Sequence, residues 1–180
     1  MKIRCIISII IMLGFKILAQ AQETNLSVFL GTRDKYINIY ANPVGNRVVD
    51  SVIEDSSQDE YNVIIIKDQA ALRFLVDLYT VDGDKVTGWI DKVHCAVYVG
   101  TYNKLWHLYV EPSVESKCTI FESEEIDLKT GNLTVIDYKY LSVPESNHVK
   151  RWVKIGFMYK DAYYEGWSDE ICSDINHACH

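Results

Sequence analysis

Proline and methionine each occur only three times in the 180 residues. Beyond residue 21 no apolar run approaches the roughly 18 residues that a membrane-crossing helix needs. Nor does any stretch there sustain a long apolar period of 3.6, which speaks against a helical architecture. Enzyme signatures are missing as well: there is no G-x-S-x-G, no Walker loop and no H-E-x-x-H. Carboxylate pairs such as Glu124-Glu125 read as a solvated face, and His94, His107 and His148 are scattered singly. Catalysis, a resident metal and a cofactor are therefore not expected.

The first residues are a special case. MKIR is positively charged, CIISIIIMLGF is a short apolar run, and Ala19-Gln20-Ala21 has the small residues a signal peptidase reads. Residues 1–21 are read as a cleaved secretory signal, with an uncleaved anchor as the alternative. The expectation is a periplasmic or secreted chain without stable membrane insertion. Of 18 basic residues, Lys2, Arg4 and Lys16 leave with the signal, so 15 face 25 acidic ones, a net formal charge of −10. Such a chain is poorly suited to nucleic acid, where Lys and Arg on phosphates supply most of the affinity.

Four cysteines remain, Cys95, Cys118, Cys172 and Cys179, and an even count in an exported chain suggests disulfides. Nearness favours Cys172 with Cys179, leaving Cys95 with Cys118. The rival for the C-terminal cysteines is zinc, because His177 and His180 flank Cys179, although the spacing matches no common zinc motif.

What the sequence does contain is a repeat. GWIDKVHC begins at Gly88 and GWSDEIC at Gly166, each a Gly-Trp pair, an Asp two residues past the Trp, and then a Cys. YINIYANP lies over WHLYVEP with Tyr40 on Tyr109 and Pro43 on Pro112, both 69 residues apart. YNVII aligns with LTVID at 72, RFLV with RWVK at 78, and GW with GW at 78. Four blocks in one order imply a duplicated unit. The blocks alternate or are β-branched, and turn formers such as Asn42-Pro43-Val44-Gly45-Asn46 and Val81-Asp82-Gly83-Asp84 separate them. The expected fold is all-β, as two small antiparallel barrels packed together. Residues 22–98 form the first unit and 99–180 the second.

The order I-N-I-Y-x-x-P, an apolar strand, an aromatic-led strand and G-W-I resembles the bacterial SH3 domain. Asn38-Ile39-Tyr40 resembles its opening strand, Arg151-Trp152-Val153-Lys154 its third-strand motif, and Gly88-Trp89-Ile90 its closing strand. The second copy, ending in EGWSDEIC and CSDINHAC, is similar to tandem SH3-like proteins exported by Bacteroidetes, which often end in a Cys-bounded loop. Departures are Tyr for the family's Arg at 40 and 109, His107 where Asn is usual, and long insertions after residues 121 and 138. The resemblance implies two SH3-like barrels and binding of cell-wall peptides.

Pro43 and Pro112 fix the chain after the first block, and Gly88 and Gly166 make room beside Trp89 and Trp167. These residues, with Trp152, are structural. In YINIY, Ile37 and Ile39 claim one face and turn Tyr40 to the other; in WHLY, Trp106 and Leu108 do the same to Tyr109. Tyr40 and Tyr109 are thus expected to be exposed, joined by Tyr79, Tyr163 and Tyr164, as an aromatic surface for a wall peptide or glycan. The alternative role is an adaptor or an inhibitor of an exported enzyme, its acidic surface meeting a basic partner.

Overall fold

The computed structural model describes residues 26–31, 36–53, 63–80, 82–99, 105–113, 118–123, 133–144 and 148–172. The export segment, Glu124-Glu125, His177, Cys179, His180 and the side chain of Cys172 lie outside the described residues.

The chain is all-β and antiparallel. Its first strands are β1 (Leu26–Leu30), β2 (Tyr36–Tyr40), β3 (Val48–Ile53), β4 (Val63–Gln69), β5 (Arg73–Tyr79) and β6 (Lys85–Asp91). A turn of 3-10 helix, Lys92–His94, leads to β7 (Cys95–Val99). Then follow β8 (Trp106–Tyr109), β9 (Thr119–Ser123), β10 (Leu133–Ser142), β11 (Val149–Tyr159), β12 (Ala162–Ser168) and β13 (Ile171–Cys172). No helix among the described residues is long and apolar enough to cross a membrane.

The duplication is visible in the pairing. The strand order is β3-β2-β6-β5-β4-β1-β7-β10-β11-β12-β8-β9. Adding six to each label of β3-β2-β6-β5-β4-β1 gives β9-β8-β12-β11-β10-β7, so the two halves of the order mirror each other. The strand after the sixth returns to the first in both: β7 pairs β1, and β13 pairs β7. β7 therefore ends one unit and begins the next. Its Ala96 faces Phe29 of β1 and also Thr134 of β10. Two small barrels packed together were expected; the ladder among the described residues is one continuous path, open at β3 and β9. The boundary set between residues 98 and 99 falls inside β7.

Pairing also corrects the internal alignment. Ser27 faces Ile65 as Ala96 faces Thr134, so β10 follows β4 by 69 residues rather than 72. Asp68 faces Leu75 as Asp137 faces Lys154, so β11 follows β5 by 79 rather than 78. Both units carry a bulge just before that Asp, between Ile66 and Asp68 and between Val135 and Asp137. In both, the Asp Oδ1 accepts the next backbone N–H, from Gln69 at 2.8 Å and from Tyr138 at 2.7 Å. A shift of one residue exchanges the two faces of a strand. Arg73 thus corresponds to Trp152, and Phe74 to Val153.

Alternation builds one core across both units, from Ile37, Ile39 and Phe74 through Cys95 and Val97 to Ile155. A smaller cluster of Tyr109, Trp152 and Trp167, with Leu141 against it, lies apart. The repeated Gly-Trp pair has a specific cause. Trp89 faces Tyr40 and Trp167 faces Tyr109 across the ladder. A Cβ on Gly88 would run into the Ile39 side chain, and one on Gly166 would come within 2.7 Å of Leu108 and 2.8 Å of the Tyr109 carbonyl. The glycines let the sixth strand of each unit cross close over the second. The Asp that follows takes a cation in each copy: Asp91 pairs with Arg73 and Asp169 with Lys150.

The expected Cys95 to Cys118 bridge is not formed. Cys95 is fully buried in β7 and Cys118 is exposed just before β9, both as free thiols. Burial pushes the Cys95 thiol pKa well above its ordinary value.

One carboxylate ties acid stability to the first unit. Asp77 on β5 accepts from the Thr87 hydroxyl at 2.7 Å and pairs with Lys85 at 3.0 Å. The Thr87 bond first, then Lys85 and Lys67, outweigh burial and hold its pKa below 3.8. A carboxyl depressed on folding stabilises above its unfolded pKa and loses that contribution as pH falls through the folded one. Wild type is therefore expected to lose stability below pH about 4 more steeply than Asp77→Asn; denaturant midpoints of the two measured across that range check it.

Candidate functional site

The alternation expected for YINIY and WHLY holds: Ile37, Ile39, Trp106 and Leu108 are wholly buried. The exposure expected of the opposite tyrosines does not follow. Tyr109 is 7% exposed, its ring 5.7 Å from Trp152 and 5.9 Å from His107. Burial, then the nearby Asp169 and Glu170 carboxylates, raise its hydroxyl pKa. Tyr40 is half-buried with the Arg73 guanidinium 3.5 Å from its ring centre. Arg73, 8% exposed, also donates to the carbonyls of Asn42 at 3.2 Å and Gly45 at 2.6 Å and to Asp91 at 2.8 Å. It clamps the turn containing Pro43. Tyr40 under Arg73 and Tyr109 against Trp152 are the same position in the two units, and each packs against a neighbour from its own unit instead of standing free as expected.

The other three tyrosines scatter. Tyr79, at the end of β5, has the Lys85 ammonium 5.7 Å from its ring. Tyr164 is half-buried, 4.6 Å from Phe121 and stacked on Phe157. Tyr163 is 60% exposed and lies across Gly156, where any Cβ would run into its hydroxyl. That hydroxyl donates to Glu165 at 3.3 Å, and Glu165 pairs with Lys154.

Lys154 leads to a cleft between the units. About 470 Å³ in volume, it is lined by Gln69, Ala70 and Ala71 at the β4–β5 turn, Lys92 of the 3-10 turn, Ile136 and Asp137 at the β10 bulge, and Lys154 of β11. Its two sides are tied together: the Lys92 ammonium donates to the Ile136 carbonyl at 2.8 Å and the Gln69 amide to the Tyr138 carbonyl at 3.4 Å. Phe74 meets Tyr138 beneath, ring centres 6.2 Å apart.

The electrostatics of the two lysines differ. Lys154 is compensated by Glu165. Lys92 sits 4.6 Å from the Phe74 ring centre with no carboxylate at ion-pair distance among the described residues. Burial lowers its pKa, with Asp137 opposing more weakly. The lining thus combines a partly desolvated ammonium, one carboxylate, one amide and three apolar side chains. None of the seven lining side chains is a hydroxyl, thiol or imidazole.

Sequence reasoning gave neither lysine a binding role, and quoted Lys154 only within a strand motif. Neither is repeated: Lys92 corresponds to Glu170, and Lys154 to Leu75. The cleft belongs to the junction, which the sequence indicated only as the place where two small units would pack together. Comparison with family models, with curated proteins and with solved structures finds no match.

Proposed function

We propose that the chain is an exported, non-catalytic binding module made of two SH3-like units, and that it holds a cell-wall peptide or glycan in the cleft between them. The mirrored strand order, with the last strand of each unit returning to its first, supports the SH3-like reading. The observation that carries the binding role is the cleft itself, where a net-acidic chain brings Lys92 and Lys154 together between two units. The depression is shallow and largely open to solvent, which suits the end of a longer ligand more than a whole enclosed molecule.

The adaptor or inhibitor reading is favoured by a different feature. Among the described residues β3 ends the ladder, with Val48 and Val49 about half exposed, and an edge of this kind accepts a partner strand. A pull-down with purified peptidoglycan beside one from periplasmic extract separates the two. The proposal expects retention on peptidoglycan, weakened in the double variant Lys92→Gln/Lys154→Gln. No retention on peptidoglycan, with a stoichiometric protein partner from the extract, would reverse the order.

A further inference from the structure

We infer that the cleft takes the free C-terminal carboxylate of a peptide ending in a small residue, an inference that rests on the binding role proposed above and names its ligand. Lys92 is the group that calls for an anion. An ammonium has three donors, and Lys92 gives one to the Ile136 carbonyl and faces the cleft without a counter-ion among the described residues. Holding such a charge partly out of water is costly unless a partner is supplied. Burial already works against its charged form. An incoming carboxylate restores the balance with a charge-assisted hydrogen bond.

The rest of the lining narrows the ligand. Because Glu165 pairs with Lys154, Lys92 is the lining cation left without an ion pair among the described residues, and Asp137 offsets its charge only from longer range. Asp137 Oδ1 is committed to the Tyr138 N–H, which leaves Oδ2 to accept an amide N–H. Peptides offer that donor beside their terminal carboxylate. Ala70, Ala71 and Ile136 provide apolar surface for a short side chain.

The test is titration calorimetry on residues 22–180 with N-acetyl-Ala-Ala as free acid, the same dipeptide as C-terminal amide, and glucuronate as an acidic sugar. The free acid is expected to bind about ten- to a hundredfold more tightly than the amide. Lys92→Gln, whose amide still reaches toward the Ile136 carbonyl, is expected to lose the distinction between acid and amide, and Lys92→Arg to keep it. Circular dichroism confirms that each variant is folded. Equal binding of acid and amide, no binding of the acid, or a distinction that survives Lys92→Gln overturns the inference. Glucuronate binding as tightly as the dipeptide acid overturns the peptide assignment. Peptidoglycan sedimentation keeps the two proposals apart. Retention on the wall with acid and amide bound alike removes only the carboxylate; tight acid binding without retention removes only the wall.

Discussion

Trp152→Ala is expected to lower folding stability by about 3 to 5 kcal/mol, the usual cost of truncating a large buried aromatic. Trp152 is fully buried, touches Tyr109 edge-on at 5.7 Å, and packs with Trp167 and Leu141 in a cluster separate from the main core. With few other side chains to collapse inward, most of the cavity would persist. Tyr109→Ala opens the same cluster and is expected to behave alike. Tyr163→Ala, at a largely exposed ring, is expected to stay within about 0.5 kcal/mol. Urea unfolding of the three variants provides the comparison. A Tyr109→Ala protein as stable as wild type but impaired in ligand retention would return Tyr109 to a binding surface and remove it from the core.

Neither unit is expected to stand alone. A fragment ending at residue 94 loses β7, and with it the strand that pairs β1 through Phe29 and Leu30. A fragment of residues 22–99 keeps β7 but uncovers the edge that pairs Leu133 and Thr134, and strips Val97 of the second unit's core. Domains of this size are already marginal in the surface they bury. The first fragment is expected to show no cooperative melt, and the second to be aggregation-prone or to melt well below the whole chain. Thermal melts by circular dichroism decide both. A 22–99 fragment that melts as sharply and as high as the whole would make the units independent.

Much of this organisation is legible in the residues and some is not. The alternation in YINIY and WHLY places Ile37, Ile39, Trp106 and Leu108 correctly, because a half-buried strand has only two faces. The same alternation cannot say whether the second face is covered. Tyr40 meets a guanidinium and Tyr109 an indole contributed by a strand far along the chain. Matching Arg73 to Arg151 by letter hides that relation, since the true counterpart of Arg73 is Trp152. A cation stacked on a ring and a ring packed on a ring fill the same place by different physics. The double use of β7 is invisible as well, because CAVYV looks like any β-branched strand and both neighbours depend on pairing between distant segments. Lys92 and Lys154 become a site only after that junction forms.

Scanning calorimetry of residues 22–180 tests the shared strand and continuous core most directly, and the cleft exists only if they do. One transition is predicted, with calorimetric and van't Hoff enthalpies equal, as for a single cooperative unit. Trp152→Ala is predicted to move that whole transition, first unit included. Two separable transitions, with only the second displaced by Trp152→Ala, would contradict the account.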